Sequence, residues 1–79
     1  MLHNHRKKID ELNITLIDLL EKRFEITKEI MSLKDTIKIP RTDLLREQKI
    51  IEELQQKSNL DQEFVEKLMK LIFEEAKNA

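Results

Sequence analysis

From Ile9 to Ile37 the chain reads IDELNITLIDLLEKRFEITKEIMSLKDTI, with neither proline nor glycine. Steps of three and four from Ile9 land on Leu12, Leu16, Leu19, Arg23, Ile26, Ile30, Leu33 and Ile37. Apolar residues at that spacing form one stripe along a helix, the a and d positions of a heptad pattern. One member, Arg23, breaks the stripe. Ile17, Leu20, Phe24 and Met31 flank it and widen the apolar face. Such a stripe reads first as core packing in a coiled-coil-like seam.

Outward from this stretch, the turn-forming residues fall in two places. Between Asp35 and Asp43, Pro40 cannot continue a helix and biases Ile39 toward extended backbone. In Ser58-Asn59-Leu60-Asp61, either Asn59 or Asp61 is a good N-cap for a last helix. Three helices are therefore predicted, over about residues 6–36, 43–57 and 61–77, in one all-α domain spanning 1–79. The third carries Phe64, Val65, Leu68, Met69, Leu71, Ile72 and Phe73, enough for burial on more than one side, while Glu74, Glu75 and Lys77 read as solvated.

Composition removes many functions. The 79 residues include 15 Lys+Arg, 16 Asp+Glu, one Pro, no Cys and no Gly. Without cysteine there is no disulfide framework, thiolate zinc site or Cys nucleophile. Without glycine there is no phosphate-cradling Gly-rich loop, dinucleotide fingerprint or nucleophile elbow. A net charge of -1 argues against nucleic-acid binding, which depends on clustered cations. No apolar run approaches the ~20 residues of a membrane span, and the polar start Met1-Leu2-His3-Asn4-His5-Arg6 is no signal peptide, so a cytoplasmic protein is expected. His3 and His5 lie near a terminus expected to fray, and no metal site or cofactor is assigned.

Size points to a partner. A helix of about 30 residues is about 45 Å long, whereas a compact chain of this length has a radius of gyration near ~12 Å. The helix would overhang its own domain and expose apolar side chains. So short a chain also buries only about 60% of its unfolded surface. Pairing two copies along the long helix answers both difficulties, and an intertwined helical homodimer is expected.

The chemistry-bearing residues start with Arg23. Desolvating a guanidinium is costly unless anions and hydrogen bonds compensate; a buried Arg–Glu pair or a side chain reaching out to water would account for it without function. Lys34 shifts the balance. Eleven residues on, it returns to within about 20° of the same face, roughly 16 Å along the axis. Two cations on one mostly apolar face suggest an anion site. Arg6, seventeen residues before Arg23, is rotated by about 100° and lies about 25 Å away, so it can serve such a site only in a partner. Asp43, Arg46 and Glu47 share one face at the start of the second helix. By themselves they read as a solvated helix start, with Asp43 complementing the dipole or pairing with Arg46.

Taken together these residues resemble the all-helical, type II chorismate mutases. Arg6-Lys7-Lys8-Ile9-Asp10-Glu11-Leu12, Leu19-Leu20-Glu21-Lys22-Arg23 and Lys34 are similar to that family's first helix. Ile39-Pro40-Arg41-Thr42-Asp43-Leu44-Leu45-Arg46-Glu47 is similar to its loop and second-helix start, and Leu60-Asp61 with Phe64-Val65 and the Leu68-to-Glu74 run to its third helix. The spacing Arg-x16-Arg-x10-Lys-x8-Asp-x2-Arg-Glu is the specific part of the signal.

The resemblance implies a three-helix protomer in an intertwined homodimer, two sites built from both chains, and conversion of chorismate to prephenate in phenylalanine and tyrosine synthesis. It implies no metal and no cofactor. It assigns Arg23 and the partner's Arg6 to the two substrate carboxylates and Lys34 to a carboxylate and the ether oxygen. Glu47 would accept from the ring hydroxyl, Asp43 would assist by its backbone, and Arg46 would complete the polar wall. The family usually adds a Gln or Glu late in the third helix as a second donor to the ether oxygen. Aligned through Leu60-Asp61, that position falls one residue beyond Ala79, and a site without it would lose about 100- to 1000-fold in rate. Ala76 stands where the family often has a small hydroxyl residue. The alternatives are an isochorismate pyruvate-lyase, which the Asp43-x-x-Arg46-Glu47 arrangement disfavours, and a non-catalytic or truncated mutase-like dimerisation module.

Overall fold

The computed structural model describes residues 1–78 as three helices: α1 over Leu2–Thr36, α2 over Leu44–Lys57 and α3 over Gln62–Lys77. The fold is all-α, as expected, and the helix ends agree with the sequence reading except at the start. There, α1 begins four residues early. Its first turn is closed by the His5 amide donating to the Met1 carbonyl (3.2 Å) and by the His5 ring donating from Nδ1 to the same oxygen (2.6 Å). His3 and His5 are thus helical rather than frayed.

Local chemistry sets the remaining ends. α1 stops in a Schellman arrangement: the Ile39 amide donates to the Lys34 carbonyl (3.0 Å) and the Lys38 amide to that of Asp35 (3.3 Å). Such a stop needs a left-handed residue, usually glycine, and in this glycine-free chain Lys38 takes it at φ 61°. Asp43 caps α2 by accepting from the Arg46 amide (3.1 Å), and Asp61, not Asn59, caps α3 by accepting from the Phe64 amide (2.9 Å). The Asp43–Arg46 side-chain pairing, one of the two readings of this helix start, is absent among the described ion pairs, and Asp43 Oδ1 accepts from the Arg46 amide instead.

α3 packs against both α1 and α2, while the backbones of α1 and α2 do not approach each other. The core is small: Ile51 from α2 and Val65, Met69, Ile72 and Phe73 from α3, with Leu20, Phe24 and Ile50 half-buried against it. At about 1.5–3 kcal/mol for each fully buried apolar side chain, little holds so extended a chain together. The molecule measures 55 × 24 × 16 Å, with a radius of gyration of 15.6 Å.

The long stripe is not in that core. Leu12, Leu16 and Leu19 are 63%, 55% and 57% exposed, and Ile9, Ile26, Ile30, Leu33 and Ile37 are exposed as well. The face of α1 that meets the rest of the chain is displaced by one residue, at Leu20, Phe24, Thr27 and Met31, about 100° round the helix. Reading the stripe as internal core packing is therefore corrected for the single chain. The helix is apolar on two adjoining faces, and α3 is too short to cover both. α3 repeats the pattern on a smaller scale, since Phe64, Leu68 and Leu71 are exposed. Among the described residues, no helix is long and apolar enough to cross a membrane.

Candidate active site

One end of the molecule holds a cavity of about 140 Å³ between α1, the following loop, α2 and the end of α3. α1 contributes Arg23, Thr27, Ile30, Met31 and Lys34; the loop gives Arg41; the start of α2 gives Asp43, Arg46, Glu47 and Ile50. The last turns of α3 close it with Phe73, Ala76 and Lys77. Five sequence-derived candidates therefore meet in one place: Arg23, Lys34, Asp43, Arg46 and Glu47. Arg6 does not join them; it is exposed near the opposite end of α1, about 25 Å along the helix axis from Arg23.

Arg23 is the most unusual group in the pocket. Its Nη1 is buried and has no hydrogen-bond partner, and Arg23 makes no ion pair among the described residues. An orphaned charged donor of this kind is expensive to keep. The guanidinium carbon stands 5.6 Å from the centre of the Phe73 ring, near the outer limit of a cation–π contact. Burial, and then the like charge of Arg46, lower its pKa from the usual arginine value, yet arginine stays cationic in proteins. Neither the buried Arg–Glu pair nor the fully solvated side chain is what the structure has.

Around Arg23 the other groups are better satisfied. Lys34 Nζ donates to the Arg41 carbonyl (3.2 Å), which ties the last turn of α1 to the loop. Arg41 Nε donates to Asp35 Oδ1 (3.0 Å), and Arg41 Nη1 donates to the Lys77 carbonyl (2.9 Å). The hydrogen bond from Arg41, more than its charge, holds the Asp35 carboxyl below the ordinary carboxylate range. Glu47 Oε2 lies 2.9 Å from Lys77 Nζ. Five cationic side chains and two carboxylates line the pocket, an excess suited to a small anion.

Two contributors escape the sequence reading. Lys77 reads as solvated, but its side chain is only 22% exposed and lines the pocket wall. Steps of four from Met69 through Phe73 reach Lys77, and that continuation of the buried face is the available signal. Arg41 stands within the quoted loop without a role. The position expected for the late donor falls outside the described residues.

Comparison with known families decides the affiliation: the profile of chorismate mutase type II matches residues 5–79. The chain belongs to the type II chorismate mutase family. Comparison with curated proteins and with solved structures gave no match. Within this family the chain is a glycine-free, all-helical member whose Arg23, Lys34, Asp43, Arg46 and Glu47 share one pocket.

Proposed function

We propose that the protein is a chorismate mutase, rearranging chorismate to prephenate for phenylalanine and tyrosine synthesis. The observation that carries the reading is the buried, unpartnered Arg23 Nη1 in a pocket that also holds Lys34 and Arg46. The reaction is unimolecular: an ether C–O bond breaks as a C–C bond forms, with no proton transfer. The protein has two tasks, to hold a flexible dianion in its compact reactive conformer and to stabilise charge developing on the ether oxygen.

Arg23 supplies a planar donor fork for one carboxylate, with the geometry that lysine lacks. Lys34, about 16 Å along α1 from Arg23, reaches a carboxylate and the ether oxygen with its flexible ammonium. Glu47 accepts from the ring hydroxyl, the Asp43 backbone assists it, and Arg46 completes the wall.

The second carboxylate goes to the partner's Arg6, in a homodimer joined along α1. The exposed stripe supports this assembly, because Ile30 belongs both to the stripe and to the pocket lining. A second copy seated on the stripe would therefore also cover the pocket. The cavity within one chain, about 140 Å³, is smaller than the ~300–1,000 Å³ usual for ligand sites, consistent with a site that one chain only half builds.

The test is a spectroscopic assay of chorismate consumption with prephenate identified as product, run in parallel with isochorismate and pyruvate detection. Prephenate formation by the purified chain, lost in Arg23→Ala, is the expected result. Pyruvate release from isochorismate alone would transfer the assignment to the lyase, and no reaction with either substrate would leave a dimerisation module.

A further inference from the structure

A pocket for a doubly negative guest has a carboxylate in its wall, and that carboxylate has its own counter-ion. Four ion pairs occur among the described residues. Two are i,i+4 pairs on α3, Lys67–Glu63 with both partners exposed and Lys70–Glu66 with Glu66 half-exposed, and the third, Asp35–Arg41, is half-exposed. Only in Glu47–Lys77 are both side chains about four-fifths buried, at 19% and 22% exposure. Such a pair needs both ends held to be favourable, and both are. Glu47 sits in the first turn of α2, while the Lys77 main chain is fixed through its carbonyl by Arg41 Nη1 (2.9 Å). Asp35, Arg41, Lys77 and Glu47 thus form one run of charge-assisted contacts. It joins the end of α1, the loop, the end of α3 and the start of α2.

The electrostatic consequence comes from the pocket's contents. An unpaired Glu47 would repel a dianion and compete for the pocket's other cations, Arg23 and Arg46 among them, that the dianion itself requires. With Lys77 on Oε2, the carboxylate is neutralised by a neighbour on the pocket wall and the other oxygen, Oε1, is left to accept. We propose, on the reading of the site given above, that Lys77 is a positioning residue. Its ammonium holds Glu47 by Oε2, keeps that carboxylate off Arg23 and Arg46, and presents Oε1 to the hydroxyl of the bound substrate.

The test is a kinetic cycle on the full chain with chorismate, comparing wild type, Lys77→Met, Glu47→Gln and the double variant, with circular dichroism confirming helical content. Lys77→Met is expected to lower kcat/KM about tenfold, while Lys77→Arg recovers most of the loss. In the Glu47→Gln background the same Lys77→Met change is expected to cost less than about twofold, because the group through which it acts is gone. Lys77→Gln replaces Lys77→Met in the cycle should the latter lose helix. Equal losses in both backgrounds, or an unimpaired Lys77→Met protein, would overturn the inference while the mutase reading stands. A wild-type chain inert toward chorismate would remove both.

Discussion

The guanidinium of Arg23 rests over the Phe73 ring at 5.6 Å, with Nη1 buried and no acceptor within reach. Selection for stability alone would place leucine there, since Leu19 and Ile26 flank Arg23 in the same stripe. Arg23→Leu is accordingly expected to abolish turnover and yet to stabilise the fold by about 1 kcal/mol, because replacing a poorly compensated charge with a packed apolar side chain is often favourable. For a domain of this size that gain raises Tm by about 4–8 °C. Thermal unfolding of the two proteins checks it, and a lower Tm for the leucine variant would show that Arg23 is structural.

Lys34→Ala is expected to reduce kcat/KM by at least ~100-fold, on the order of 3 kcal/mol of transition-state stabilisation. Within the chain the substitution removes a single hydrogen bond, to the Arg41 carbonyl, so circular dichroism should be unchanged. Steady-state kinetics decides the matter, and full activity would reject the role given to Lys34.

A shared site makes a complementation prediction. Arg6→Ala and Arg23→Ala are each expected to be inactive, whereas mixing them after subunit exchange should restore activity, since one of the two composite sites in each heterodimer is intact. Sedimentation should give twice the 9.5 kDa chain mass at micromolar concentration. A monomer, or no recovery after proven exchange, would refute the arrangement.

The Asp35–Arg41 pair gives a pH dependence of known sign. The folded-state pKa of Asp35 lies below its ordinary value of 3.8. The contribution is therefore fully present above that value and disappears as pH falls through the lower, folded one. Asp35→Asn should remove this part of the acid sensitivity, which sets in as pH falls below the ordinary value of 3.8, as read by unfolding curves on the acid side. An unchanged acid profile would show that the pair contributes nothing there.

Lys38 tests the helix stop. A left-handed conformation costs a residue with a Cβ roughly 1–2 kcal/mol, and glycine removes that cost while adding unfolded-state entropy. The net expectation for Lys38→Gly is a gain of about 0.5–1 kcal/mol in chemical denaturation. A decrease would mean that the Lys38 side chain holds something the backbone geometry does not explain.

How far the sequence can be read differs between neighbouring residues. The ends of α2 and α3 are legible because proline, Asp43 and Asp61 act within three or four residues of themselves. The grouping of Arg23 with Lys34 is legible for the same reason, as helical spacing alone puts them near one face. Which face of α1 turns inward is not legible. Leu19 and Leu20 are equally apolar, yet Leu19 is exposed and Leu20 half-buried against the core. Lys77 reads wrongly because Glu74 and Glu75 beside it are exposed and periodicity at a helix end is short.

The sequence by itself determined three helices and the spacing of the cations, since each depends on backbone preferences and on geometry repeating every few residues, while the choice of Asp61 over Asn59 as cap came from the structure. Only the tertiary structure decided that α3 meets the Leu20–Phe24–Met31 face and leaves the heptad stripe open. It also decided that Glu47 finds Lys77 and that Arg41 finds the Lys77 carbonyl. Those pairings join residues far apart in the chain, and their distances are set by how whole helices settle against one another, which no local pattern encodes.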